Sequence, residues 1–260
     1  MSSIRKNLIS ALVILSSLPS TARPQSGACF HWFERPPSAP PPSLRLYHAM
    51  AHDTWRGKTV LFGGSLPGSD EIAGDTWEWD GAVWSLAATT GPQTRLQHAM
   101  AFDSARGVTV MFGGYAPIIG PPAETWEWDG ENWSMVSSTG PDFRMSPAMA
   151  YDSARGVTVL FGGENFAMQF SDTWEWNGSV WTQVMAPGPA ASSFHSMAFD
   201  SARGVTVLVR PPDSSQGTTE TWEFDGASWT QRGSTVTPPN TTVASMAYDS
   251  ARSRTVLLGD

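Results

Sequence analysis

His98-Ala-Met-Ala-Phe-Asp-Ser-Ala-Arg-Gly-Val-Thr-Val-Met-Phe-Gly-Gly114, followed by Thr125-Trp-Glu-Trp-Asp-Gly130 and then Asn132-Trp133, is the clearest of five copies of one pattern. The aspartate that closes its first apolar segment recurs at Asp53, Asp103, Asp152, Asp200 and Asp249, at spacings of 50, 49, 48 and 49 residues. A fixed period of this length belongs to stacked units of one supersecondary type, each needing its neighbours to cover its apolar face.

Within a copy, short apolar segments alternate with Gly, Asp and Asn at intervals of about 8 to 12 residues, and no window sustains a period of 3.6, which predicts an all-β chain. Four strands, A to D, are predicted per copy; in the second they fall near 97–103, 108–113, 125–129 and 132–136. Asp103-Ser-Ala-Arg-Gly107 predicts a tight A–B hairpin, because the aspartate accepts backbone N–H groups and the glycine takes positive φ. Asp80-Gly81, Asp129-Gly130, Asn177-Gly178 and Asp225-Gly226 predict C–D hairpins of the kind in which both turn residues take positive φ.

The B–C stretches 65–74, 115–123, 164–171 and 210–219 share neither length nor composition. In a four-stranded antiparallel sheet the A–B and C–D turns lie at one end, and the B–C loops and inter-copy connections at the other. One end is therefore uniform, and binding is expected at the end where the copies differ.

The chain of 260 residues is 40% hydrophobic and 15% charged, the balance of an ordered globular protein. Its net charge of −8, without a Lys/Arg run, leaves a nucleic-acid backbone no obvious counterion supplier, so no nucleic-acid partner is expected. Arg5-Lys6, the apolar stretch 8–18 and Pro19-Ser-Thr-Ala22 read as a secretory signal over residues 1–22, with a periplasmic or secreted destination. That stretch is shorter than the roughly 20 residues a spanning helix needs, so no membrane span is expected. Cys29 is the one cysteine of the sequence, which excludes an internal disulfide. Residues 23–44 form a Pro-rich segment, in which the stretch 29–34 carries Trp32.

The double glycines Gly63-Gly64, Gly113-Gly114 and Gly162-Gly163, each followed about twenty residues on by Trp84, Trp133 or Trp181, resemble the kelch repeat of the kelch and galactose-oxidase-like group. The resemblance covers residues 45 to 260. It implies a β-propeller in which each copy is one four-stranded antiparallel blade and strand A lines a central channel. Four full copies are expected, at about 45–94, 95–143, 144–191 and 192–241, with a half blade at 242–260: an incomplete ring, read as part of a longer propeller, for which the resemblance implies 29–34 as a candidate closing strand. In the fourth copy Val209-Arg210-Pro211-Pro212 replaces Phe-Gly-Gly, and its strand B is expected to end early. The copper site of the galactose-oxidase-like enzymes has no counterpart, since Cys29 lies outside the repeats and Tyr47, Tyr115, Tyr151 and Tyr248 form no matching motif.

Eleven of the thirteen tryptophans occupy repeated C and D positions, which marks them as packing between blades. Met50, Met100, Met149, Met197 and Met246 recur in strand A as core filler. Glu78, Glu127, Glu175 and Glu223 recur once per copy, the signature of a repeated ion pair with Arg45, Arg95 and Arg144 or with Arg56, Arg106, Arg155 and Arg203. His48, His98 and His195 share one position before strand A and are candidate ligand-binding residues, weighed against a hydrogen-bonded structural histidine at each strand start. No motif calls for a cofactor, a metal or a catalytic residue.

These features point to a non-enzymatic scaffold binding a protein or a glycan through the B–C and D–A loops. Tyr115, Ile118, Ile119, Phe166 and Phe170 are the expected apolar anchors and tilt the balance toward a protein. The alternative is a carbohydrate-active enzyme whose site is completed by further blades.

Overall fold

A computed structural model describes residues 41–117, 123–211, 218–233 and 244–259. The signal segment, the candidate strand at 29–34, and Ile118 and Ile119 lie outside the described residues. Four four-stranded antiparallel sheets and one two-stranded hairpin follow one another along the chain. The first sheet is β1 (Ala49–Asp53), β2 (Lys58–Phe62), β3 (Thr76–Trp79) and β4 (Trp84–Ala88); the second is β5 (Ala99–Asp103), β6 (Val108–Phe112), β7 (Thr125–Trp128) and β8 (Trp133–Ser137). The third is β9 (Ala148–Asp152), β10 (Val157–Phe161), β11 (Thr173–Trp176) and β12 (Trp181–Val184). The fourth is β13 (Ser196–Asp200), β14 (Val205–Arg210), β15 (Glu220–Phe224) and β16 (Trp229–Arg232), followed by the hairpin β17 (Ala244–Asp249) and β18 (Arg254–Gly259).

The sheets pack through their first strands, β1 beside β5, then β9, β13 and β17, which makes strand A the inner edge of a propeller-type array. The array is open, since no strand of the first sheet pairs with β17 or β18 among the described residues. Strand side chains alternate between faces, and here both faces of an internal sheet are covered. In the second sheet Met100, Phe102, Met111 and Trp128 face Ala51, Val60 and Phe62 of the first. Its other face, Ala99, Ala101, Val110 and Phe112, meets Met149, Leu160 and Trp176 of the third. These two boundaries set Met and Trp against Ala, Val and one Phe, and the third–fourth boundary does the same with Met197 and Phe224 against Ala148, Ala150, Val159 and Phe161. The strand-D tryptophans complete each boundary: Trp133, Trp181 and Trp229 meet Phe62, Phe112 and Phe161 edge-on at 5.2–5.3 Å and donate to Thr76, Thr125 and Thr173 at 2.8–2.9 Å.

The double glycine has two physical causes. Gly113 has φ of +71° and a Cβ there would lie 2.6 Å from the Arg144 carbonyl oxygen of the next sheet, while Gly114 N–H donates to that same oxygen at 2.9 Å. The A–B hairpin forms as expected, with Asp103 Oδ1 accepting from Ala105 and Arg106 N–H at 3.0 and 3.1 Å.

Two expectations are corrected. In the C–D turns only the glycine takes positive φ; the preceding Asp or Asn keeps an ordinary φ and caps the turn with its side chain, as Asp129 Oδ1 does for Glu131 and Asn132 N–H. And strand B of the fourth sheet does not end early: without the Gly-Gly break, β14 runs on to pair Arg210 with Glu220, one residue further than its counterparts.

Candidate binding surface

At the uniform end every hairpin arginine is committed. Arg56 binds Asp53 through Nε at 2.6 Å and Glu78 through Nη1 at 2.6 Å, and Trp128 of the next sheet donates to the same Glu78 oxygen at 3.2 Å. Arg106, Asp103, Glu127 and Trp176 repeat the arrangement, and Arg155 and Arg203 hold Glu175 and Glu223. Burial works to raise the Glu78 carboxyl, yet bonds from Lys58, Arg56 and Trp128 outweigh it and hold the group below its ordinary range. These glutamates are structural nodes, not paired acids and bases.

At the variable end a second arginine set braces the loops. Arg45, Arg95 and Arg144 donate through Nη1 to the carbonyls of Gly63, Gly113 and Gly162 at 2.9–3.1 Å and pair with Asp75, Glu124 and Asp172. The fourth sheet has Ser192 at this place, and Arg210 supplies the cation instead, 3.4 Å from Glu220. Arg210-Pro211 thus stands where the other copies have Gly-Gly, and Arg210 supplies the guanidinium that Ser192 lacks.

The three candidate histidines do not gather into one site among the described residues. His98 and His195 are buried, their rings edge-on to Phe62 and Phe161 of the preceding sheet at 5.5 and 5.2 Å. His195 Nε2 contacts the Phe161 carbonyl at 2.9 Å and its Nδ1 contacts Ser192 Oγ at 3.2 Å. Burial pushes the His195 imidazole down to about 4, and burial, with Arg95 and His48 nearby, holds His98 well below its ordinary value. Both are neutral packing groups, which withdraws them as surface ligands, and His48 is a half-buried counterpart at the rim of the first sheet. Among the described residues no group of three or more His, Cys, Asp or Glu side chains is placed to hold a metal ion, and no helix is long and apolar enough to cross a membrane.

The loop residues do come together. Phe166, 73% exposed, meets Tyr115 edge-on at 6.2 Å and Phe143 at 5.7 Å, so the B–C loops of the second and third sheets and the connection between them share one aromatic patch, with exposed Met168 in the same loop as Phe166. The patch is held rigidly. Asn165 Oδ1 accepts from Ala167 and Met168 N–H at 2.9 Å, a side-chain-capped turn that presents Phe166 at its corner. Ser193 of the following connection donates to Glu164 at 3.1 Å and accepts from Gln169 at 3.2 Å.

Phe170, expected as an exposed anchor, is 8% exposed and lies beneath the Arg144 guanidinium, 4.1 Å from its ring centroid. It stacks on the bracing cation because Phe170 N–H is drawn to Gly163 O at 2.8 Å, which folds the loop end back onto the sheet. Phe143 and Met168 were not anticipated. The signal was present at position 143, where the residue before the repeated arginine changes from Leu44 to Thr94 to Phe143. A second variable series lies on the inner rim: Tyr47, Gln97, Ser146 and Phe194 share a left-handed backbone, φ 51–58°, with Gln97 N–H donating to Tyr47 O at 2.8 Å and Ser146 N–H to Gln97 O at 2.7 Å. No protein-family model matches the chain, and no curated protein matches it at a significant level.

Proposed function

We propose that the chain is an exported, kelch-type propeller that acts as a non-enzymatic binding scaffold, taking a protein partner through the loop end of its second and third sheets. The observation that carries this reading is the patch of Phe166, Tyr115 and Phe143: contiguous across two sheets, with Phe166 exposed and Tyr115 and Phe143 half-buried beside it, and with the Phe166 turn fixed by hydrogen bonds before any partner arrives. Preorganised aromatic groups give large contact area at small entropic cost, which is why they dominate interface energetics. The period of 48 to 50 residues and the double glycines support the kelch assignment, and the charged, apolar and small-residue sections of residues 1–22 support export.

A displayed-peptide selection and a glycan array, each run with the full chain and with its Phe166→Ala and Tyr115→Ala variants, test the reading. Peptides with aromatic or aliphatic anchors should be selected, and Phe166→Ala should weaken them about 30-fold, the loss of a hot-spot residue. Because Ile118 and Ile119 share the Tyr115 loop, their alanine variants belong in the same series. Selective glycan binding lost in the same variants would replace the protein by a sugar; binding indifferent to all four substitutions would overturn the site.

A further inference from the structure

The C–D turns of the first, second and fourth sheets begin with aspartate, at Asp80, Asp129 and Asp225, whereas the turn of the third begins with Asn177, which is exposed and followed by Gly178. The four turns share one geometry. Oδ1 of Asp80, Asp129 and Asp225 accepts from the backbone N–H groups two and three residues on at 2.7–2.9 Å, and Asn177 Oδ1 accepts from Ser179 and Val180 N–H at 2.9 Å. The glycines that follow have φ between +93° and +100°. Asn177 therefore occupies a turn that elsewhere in the chain is built around a carboxylate.

An asparagine before glycine has its reaction partner beside it. The main-chain nitrogen of Gly178, unobstructed by a side chain, can attack Asn177 Cγ, and the negative charge of that step develops on Oδ1, where the Ser179 and Val180 N–H groups already lie. Fixed backbone donors at a developing oxyanion lower the barrier without reorganisation. Arg106, held by Asp103 and Glu127, packs against Gly178 so closely that a Cβ there would lie 2.8 Å from its Nε, which fixes the nucleophile in place. We propose that Asn177 is a self-modification site, converted to aspartate by the folded chain. The Gly178 N–Cγ bond forms, the Cγ–Nδ2 bond breaks, and the amide group leaves as ammonia with the proton that the Gly178 nitrogen gives up. Water then opens the cyclic imide at Cγ, which restores the main chain and leaves a carboxylate at position 177. The product has the turn that Asp80, Asp129 and Asp225 already hold. Opening at the main-chain carbonyl instead gives isoaspartate, whose extra backbone carbon would lift Gly178 off Arg106. Asn165 is an internal comparison: its Oδ1 is capped by Ala167 and Met168 N–H in the same way, but the next nitrogen belongs to Phe166, whose side chain obstructs it.

Peptide mass mapping of the full chain, incubated folded and in urea at equal pH and temperature, tests this. The folded chain should gain an acid at position 177 about 10-fold faster than the chain in urea, where the two N–H donors are no longer held on Oδ1. The rate should rise with pH, because the Gly178 nitrogen must lose its proton. Aspartate should exceed isoaspartate in the folded chain, Asn165 should keep its amide over the same interval, and Asn177→Asp, which makes the product directly, should melt with the wild type. Conversion no faster in the folded chain than in urea, isoaspartate as the main folded product, equal conversion at Asn165, or an Asn177→Asp chain that melts well below the wild type would each overturn the proposal.

Discussion

Trp128 Nε1 donates across a sheet boundary to Glu78 Oε1 at 3.2 Å, while Arg56 and Lys58 hold the same carboxylate from its own sheet at 2.6 and 2.7 Å. The acceptor of one repeat is thus completed by the donor of the next, and Trp176 and Glu127 repeat the relationship.

Glu127→Ala should cost about 2–3 kcal/mol, because it leaves Arg106 Nη1, with Nε still on Asp103, and the Trp176 indole N–H without their shared acceptor. Trp176→Phe should cost only about 1 kcal/mol, the worth of one hydrogen bond; the protein itself places Phe224 at that position in the fourth sheet. Urea denaturation of the two variants gives the ordering.

Gly113→Ala and Gly57→Ala separate two roles of glycine. At Gly57, φ is +65° and a Cβ would meet nothing within 4 Å, so the cost is the left-handed backbone alone, about 1 kcal/mol. At Gly113 the same backbone term is joined by a 2.6 Å approach to the Arg144 carbonyl, and the neighbouring sheet must shift. The melting temperature should fall at least twice as far for Gly113→Ala.

Stability should fall on mild acidification. An unfolded histidine protonates near 6.5 and His195 in the fold only at about 4, so between these values the unfolded chain binds more protons. His195 therefore adds nothing unfavourable above about pH 6.5 and costs up to about 3 kcal/mol as pH falls to about 4, with His98 acting in the same direction. Asp75, Glu78 and Asp172, whose carboxyls are held below their ordinary values, lose their contributions at still lower pH, as it falls through those depressed values. Melting curves from pH 8 to 4 should show the decline, and His195→Gln should flatten it.

Phe166 and Phe170, four positions apart in one loop, should behave oppositely. Phe170→Ala empties a buried place beneath Arg144 and should cost about 3–5 kcal/mol. Phe166→Ala should leave stability within about 0.5 kcal/mol while weakening partner binding. Melting and binding measured on the same two variants check the reversal.

The repeat made the sheets, turns and nodes legible, because each depends on contacts a few residues apart or on one boundary copied along the chain. Asp103 and Gly107 carry their hairpin locally, and the common period of Glu78 with two arginine series announces an ion pair without choosing between them; the fold brings the hairpin Arg56 to it and gives Arg45 to Asp75. What escaped reading lay where a copy departs from the pattern. Phe170 looks as apolar and loop-like as Phe166, and its burial depends on Arg144 reaching over it from the connection ahead of the third sheet. Arg210 reads as a lost glycine until Ser192 is seen to lack the guanidinium that its counterparts carry. The histidines misled for a related reason: a shared position before strand A says they recur, not that their rings turn inward onto Phe62 and Phe161.

Arg56, Arg106 and Arg155 lie over Gly130, Gly178 and Gly226 of the following sheets so closely that a Cβ there would come within 2.6–2.8 Å of the guanidinium. Together with the shared glutamates, these caps place much of the cohesion at boundaries and little within any single sheet. Unfolding should accordingly travel as a front from either end, each departing sheet stripping the caps from its neighbour. Amide protection is then expected to rise toward the second and third sheets, the same two that carry the aromatic patch.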